Sequence, residues 1–95
     1  MQLARFLNGV FKKDGFILEN ANSQNYIIGT PKSEKPIKLK ILDKKLHYKL
    51  LFHPDLYFGE AYTDGNIVIE NGSLSDFLDL ALMNFGRNDL NLFSY

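Results

Sequence analysis

Two apolar stripes of identical spacing bracket this chain and fix most of what it can fold into. Leu3, Phe6, Leu7, Val10 and Phe11 stand at i, i+3, i+4, i+7 and i+8, and Leu74, Phe77, Leu78, Ala81 and Leu82 repeat those intervals near the other end. Side chains so spaced gather along one face of an α-helix. Each helix must lay that face on an apolar surface, and the residues between them have to supply it. The first helix is predicted over residues 2–13 and ends at Asp14-Gly15, since Gly tolerates left-handed geometry and Asp readily takes a turn. Ser73, three residues before Asp76, has the spacing of a capping box at the start of the last helix.

The surface is predicted to be a small sheet. Phe16 to Glu19 and Tyr26 to Ile28 are short β-favouring runs separated by the turn-rich segment 20–25, and they read as a hairpin. Residues 30–36, with two prolines, read as a loop. Ile37-Lys38-Leu39-Lys40-Ile41 alternates with period two, which buries Ile37, Leu39 and Ile41 and turns both lysines to water. Asp43 is placed to cap a helix through Leu46, Leu50 and Leu51 that stops at Pro54. A second, shorter helix begins at Pro54-Asp55 and ends at Asp64-Gly65, and Ile67 to Ile69 form a last strand. The expectation is an α+β fold, a small mostly antiparallel sheet with three or four helices packed against it.

At 95 residues there is room for one core. Apolar residues at 45% and charged residues at 23% are ordinary globular values, which argues against disorder and fibrous repeats. No apolar run approaches the roughly 20 residues that cross a bilayer. The chain has no cysteine, so disulfides, thiol nucleophiles and thiolate metal sites are excluded and a cytoplasmic location is expected. Zero net charge conceals an asymmetry: residues 1–53 carry ten basic groups against four acidic ones, while residues 54–95 carry one against seven. That pattern is either a solvated surface of mixed sign or a basic face for anionic lipid with an acidic face for a partner.

Reactive side chains are few. His47 and His53 are six apart, not the i, i+4 spacing that sets two imidazoles on one helical face, so both read as surface histidines and a zinc site is not expected. No glycine-rich phosphate loop and no nucleophile elbow is present. Lys38, Lys40, Lys44, Lys45 and Lys49 suit phosphates, but Tyr48 is the one aromatic within the run, and no nucleic-acid partner is expected. Arg5, Phe6, Val10, Phe11, Lys12 and Lys13 form a candidate membrane contact on the first helix; the competing reading is that Phe6, Val10 and Phe11 close the core. The distinctive stretch runs from Leu56 to Gly65, where a carboxylate and a tyrosine two apart sit inside a glycine bracket. Its plainer reading is a helix end at which Glu60 or Asp64 caps a neighbour and Tyr62 fills the core.

Gly-Glu-Ala-Tyr-x-Asp-Gly after a Pro-Asp-Leu step, followed by Gly-Ser-x-x-Asp-Phe-Leu-Asp-Leu, resembles the N-terminal domain of bacterial cyclopropane-fatty-acyl-phospholipid synthases. The likeness extends from Leu3 to Asn84 and is sharpest over residues 54–84. Gly59, Glu60, Ala61, Tyr62, Asp64 and Gly65 match the motif, whereas Thr63 stands where the family often has methionine and Asn66 where a large residue is common. The resemblance implies a lipid-binding domain over residues 1–84, similar in outline to sterol-carrier folds. It implies a linker beginning at 85–95 and leading to a C-terminal methyltransferase domain. Family members use S-adenosylmethionine to add a methylene across the double bond of an unsaturated phospholipid acyl chain at the inner membrane face, as dimers. Their glycine-rich loop, catalytic carboxylate, tyrosine and bound bicarbonate belong to that C-terminal domain, and none of those residues carries over.

The expected role is therefore non-catalytic, docking on membrane lipid and supporting a catalytic domain, with no turnover by this chain alone. The alternative is an interaction module that packs on a partner protein or second protomer. Leu90, Leu92, Phe93 and Tyr95 suit such a contact, and further chain is expected after Tyr95.

Overall fold

The computed structural model describes residues 1–85. The expected linker beyond Phe85, with Leu90, Leu92, Phe93 and Tyr95, lies outside the described residues. Helix α1 spans Gln2–Val10; strands β1 (Gly15–Glu19), β2 (Asn25–Gly29) and β3 (Lys38–Ile41) follow; then come α2 (Lys44–Phe52), α3 (Pro54–Thr63), β4 (Ile67–Glu70) and α4 (Leu74–Phe85). The elements stand in the order read from the sequence, and the fold is α+β with four helices against a four-stranded sheet.

The sheet order is β2-β1-β3-β4. β1 pairs antiparallel with β2, β3 with β4, and the central β1–β3 pairing is parallel. Residues 30–37 carry the chain from β2 to the far side of β1, and that crossing makes β3 run alongside β1. Because strand side chains alternate, each strand divides between two faces. Phe16, Leu18, Ile28, Leu39, Ile41 and Ile67 are buried on one face, beneath the helices. The opposite face is bare of helices, and Glu19 anchors it: Lys38 Nζ and Lys40 Nζ lie 3.5 and 3.7 Å from its oxygens, and Lys40 reaches Glu70 at 3.9 Å. Such half-exposed cross-strand pairs contribute on the order of 0.2 to 1 kcal/mol each.

A file of five phenylalanines runs through the core. Phe16 on β1 meets Phe11 edge-on at 5.0 Å and Phe77 of α4 at 5.1 Å. Phe11 continues to Phe85 at 5.6 Å, and Phe77 stacks on Phe58 of α3 at 5.5 Å. Phe85 thus belongs to the packed domain and to α4, not to the linker expected to begin there.

α4 buries a face rotated from the one expected, and α1 buries the expected face except that Ala4 replaces Phe6 on it. In α4 the inward residues are Phe77, Leu80 and Ala81, with Phe85 packed against the core, while Leu82 is exposed. In α1, Leu3 and Ala4 are buried and Phe6 is left half-exposed at 38%. A stripe of five apolar positions overlaps a second one turned by a single residue, and small Ala4 lets the helix sit closer. α1 also ends earlier than residue 13, with Phe11 as its C-cap.

Asp14, not Gly15, takes the left-handed turn, at φ 62°. Its carboxylate accepts from the backbone N–H of Gly15 at 2.8 Å and of Lys32 at 3.0 Å. Gly15 is required for a different reason: a Cβ there would lie 2.0 Å from the Ile28 carbonyl oxygen across the hairpin.

Three asparagines tie the layers together. Asn84 Oδ1 accepts from the N–H groups of Lys12 and Lys13 at 2.8 and 2.7 Å, and its Nδ2 donates to the carbonyls of Lys13 and Leu80, closing α4 onto the end of α1. Asn8 accepts from Gly29 N–H at 2.8 Å and donates to the Ile27 carbonyl, holding α1 on the edge strand β2. Buried Asn20 organises the hairpin loop by accepting from the N–H groups of Asn22 and Gln24, each at 2.9 Å. Gly15→Ala is expected to lower stability by about 3 kcal/mol, because the added methyl meets backbone that no rotamer change can move. Urea unfolding measures this, and a loss within about 0.5 kcal/mol, the size of an ordinary surface change, contradicts the close β1–β2 approach.

Candidate functional site

The segment Gly59 to Gly65 is the C-terminal half of α3 and its stop. Gly65 has φ 80° and donates its N–H to the Tyr62 carbonyl at 3.2 Å, while Asn66 N–H reaches the Ala61 carbonyl at 2.8 Å. Paired bonds of this kind with a left-handed glycine form a Schellman stop, which satisfies carbonyls that the helix end leaves open. Asn66 continues the connection by accepting from Leu42 N–H at 2.9 Å, which joins the stop to the end of β3. Ala61 is buried, and Tyr62, expected in the core, is instead exposed.

Glu60, Ala61 and Asp64 do converge, on a recess of about 70 Å³ shared with Asp43, Lys49 and Tyr57. Across it, Lys49 Nζ lies 5.2 Å from the centre of the Tyr57 ring, a cation–π contact between α2 and α3. The space is sized for a few waters and not for a lipid chain. Asp43 caps α2 as expected, accepting from Lys45 N–H at 3.0 Å. A Cβ would meet nothing within 4 Å at Gly59 or at Gly65, and the two differ in backbone: Gly65 alone has a left-handed φ.

The six residues expected to touch membrane do not share one surface. Phe11 is 1% exposed and sits in the phenylalanine file, so it is not available to lipid, and Val10 is half-buried against the core. Arg5, Lys12 and Lys13 are exposed, and Phe6 is half-exposed beside them. Outside the core α1 therefore presents Arg5 and Phe6, with Lys12 and Lys13 just past its end.

A stronger outward surface lies on α2 and the bend into α3. Leu46 and Leu50 of α2 are buried. Its other side turns out Lys44, Lys45 and Lys49 with Tyr48 at 63% and Phe52 at 70% exposure, and Leu56 in the first turn of α3 is 60% exposed. α1 and α2 meet at a groove of about 180 Å³ lined by Met1, Gln2, Leu3, His47, Tyr48 and Leu51. The signal that could have found this surface is the phase of α2: once Leu46 and Leu50 face the core, Tyr48 and Phe52 cannot.

His47 is half-buried, not a fully surface histidine. Burial lowers its pKa, partly opposed by Asp43, and Nε2 accepts a long hydrogen bond, 3.4 Å, from Ala21 N–H. Ser73 and Asp76 form the capping box: Ser73 N–H donates to Asp76 Oδ2 at 2.9 Å and Asp76 N–H to Ser73 Oγ at 3.1 Å. Hydrogen bonding from Ser73, chiefly from its backbone, lowers the Asp76 pKa. Among the described residues no three His, Cys, Asp or Glu side chains are grouped to hold a metal ion.

Comparisons with protein-family models, with curated proteins and with solved structures find no match to this chain.

Gly59 within α3 and Gly65 in its stop are expected to respond oppositely to alanine. Gly65→Ala strains a left-handed position and costs about 1 kcal/mol, whereas Gly59→Ala removes a mid-helix glycine and raises stability by about 1 kcal/mol. Thermal unfolding of both variants reads the contrast, and loss of stability in Gly59→Ala contradicts it. His47 titrates below its unfolded value of about 6.5, so the unfolded chain takes up the proton first as the pH falls. The stability held by the neutral imidazole is complete above about pH 6.5 and is lost as the pH drops through the lowered value. The Asp76 contribution is present above about pH 3.9 and disappears in a separate, more acidic window. Urea midpoints should fall between pH 7 and 5, and His47→Gln should flatten that slope; an identical slope in the variant contradicts the assignment.

Proposed function

We propose that this chain is the lipid-side N-terminal part of an enzyme like the cyclopropane-fatty-acyl-phospholipid synthases, holding the protein against anionic phospholipid while a C-terminal methyltransferase domain acts on the acyl chain. The observation that carries the lipid half is the charge of α1 and α2, since α3 and α4 are acidic. α1 and α2 carry Arg5, Lys44, Lys45 and Lys49 and no acidic residue, and Lys12 and Lys13 extend the same sign past the end of α1. A bilayer containing anionic lipid attracts each such cation by about 1 kcal/mol near its surface, so four to six of them suffice for weak, reversible attachment. The motif of residues 59–65 supports the enzyme half through the resemblance it carries. S-adenosylmethionine and bicarbonate are assigned to the C-terminal domain, and no residue described in this chain is assigned to either.

A second reading is a module that packs on a partner protein or a second protomer. It draws on the bare face of the sheet, where Ile27 and Val68 are exposed beside the Glu19 ion pairs. Lipid attachment and such a contact use opposite faces and are compatible.

The chain is expected to sediment with phosphatidylglycerol vesicles at low salt and to be released at about 1 M salt, where screening falls to about 3 Å. Equal sedimentation with phosphatidylcholine and phosphatidylglycerol contradicts the electrostatic reading.

A further inference from the structure

Two Asn-Gly steps stand among the described residues, Asn8-Gly9 and Asn71-Gly72, and the fold treats them differently. Asparagine followed by glycine holds an electrophile and a nucleophile side by side. The backbone nitrogen of the glycine can close on the side-chain carbonyl carbon, and the missing Cβ leaves its approach open. Whether the ring forms depends on what restrains the two groups. Asn8 lies inside α1, so Gly9 has helical backbone, and the Asn8 amide is held at both ends: Oδ1 accepts from Gly29 N–H at 2.8 Å, and Nδ2 donates to the Ala4 and Ile27 carbonyls. Asn71 lies in the turn between β4 and α4, where it and Gly72 are both exposed, and it has a left-handed φ of 63°. Among the described residues its side chain makes one long bond, Nδ2 donating to the Pro36 carbonyl at 3.3 Å, and the Gly72 N–H has no acceptor. Asn22-Ser23 is exposed too, but there the nitrogen is engaged, with Ser23 N–H donating to the Asn20 carbonyl at 3.0 Å.

We infer that Asn71 is a site of spontaneous deamidation, at which the Gly72 nitrogen displaces the side-chain amide and the turn acquires a carboxylate. This is independent of the lipid-side reading and needs no partner. The Gly72 nitrogen, having given its proton to hydroxide, bonds to Asn71 Cγ. The Cγ–Nδ2 bond then breaks, Nδ2 leaves as ammonia with a proton taken from water, and a cyclic imide remains. Water opens that ring. Attack at Cγ restores the ordinary chain with aspartate at this position, whereas attack at the backbone carbonyl carbon leaves the chain running through the side chain, an isoaspartyl link. The sum is asparagine and water to the acid and ammonia, with nothing oxidised or reduced. The surroundings fix the consequence. The Pro36 carbonyl loses its donor and faces a carboxylate, and the new charge adjoins Glu70 in the chain. Asp76 is near as well, its Oδ2 lying 3.5 Å from where a Gly72 Cβ would stand. Loss of that bond and repulsion between the acids unfasten the β4–α4 turn from residues 30–37, the segment that carries the chain across the sheet to β3.

The full chain, incubated at neutral and at mildly alkaline pH, is digested and its peptides are read by mass spectrometry, with electron-transfer fragmentation separating aspartate from isoaspartate. In the folded chain Asn71 should convert about tenfold faster than Asn8 or Asn22, whose reaction waits on local opening. The rate should rise with pH, since the glycine nitrogen must lose its proton. In urea Asn8 should react as fast as Asn71, both being then unrestrained Asn-Gly steps. Gly72→Ala should slow conversion by crowding the nitrogen; its Cβ would lie 2.9 Å from Ile37 Cγ1, a side chain able to turn aside, and circular dichroism checks that the variant folds. Asn71→Gln should remain unconverted at that position. Converted chain, separated by ion exchange, should take up deuterium faster over residues 30–37 than the parent. Equal rates at Asn8 and Asn71 in the folded chain, or an Asn71 that converts in urea and stays intact in the fold, overturn the inference. Unchanged deuterium uptake over 30–37 in the converted chain overturns the unfastening.

Discussion

Phe16 is the side chain on which the architecture depends. It is fully buried near the start of β1 and touches both Phe11, at the end of α1, and Phe77, in α4. Through those two rings it joins Phe85 and Phe58, so one file of aromatic contacts connects the first helix, the sheet, the last helix and α3. Aromatic side chains bury the most surface per residue, and edge-on pairs add about 0.5 to 1.5 kcal/mol beyond that burial. A chain this short has material for one such core, and placing it on one side of the sheet leaves the other side bare.

That one-sidedness distributes the chemistry of the surface. On the bare side, Glu19 and Glu70 balance Lys38 and Lys40 within the sheet, so the face is locally neutral. On the helical side no such pairing occurs along α1 and α2, and Lys44, Lys45 and Lys49 share α2 with exposed Tyr48 and Phe52. The asparagine clamps at Asn8 and Asn84 fix α1 against β2 and α4, so the cationic helices are held on a rigid support.

The order and type of elements were legible because each is written in local signals. Asp43, the Ser73–Asp76 box and the Asp64-Gly65 stop are short-range hydrogen-bonding devices, and they work as their spacing indicates. What needed the third dimension was the rotation of each helix. Phe6 and Leu82 look as apolar as Ala4 and Leu80, and only packing against the sheet decides which pair faces in. Asn84 was equally hidden, since its partners are 71 and 72 residues away and no local pattern encodes them. The site was legible in part. The motif residues Glu60, Ala61 and Asp64 come together, but their visible work is to end α3 and line a small recess. Of the two readings open for Phe11, lipid contact or core, its burial favours the core, and the break at Pro54 stands where it was read, but the exposure of Phe52 and Leu56 was not foreseen because large apolar side chains are expected inside.

The claim that the helical layer, and not the sheet, is the lipid-facing side can be put to one direct measurement. Isotope-labelled chain, examined by nuclear magnetic resonance on nanodiscs of anionic phospholipid doped with a paramagnetic lipid, reports which amides and methyl groups come near the bilayer. Signal loss should concentrate on α2, the start of α3 and the outer side of α1, with Ile17, Ile27 and Val68 retaining full intensity. Loss centred on those three residues, or spread evenly over both faces, would contradict it.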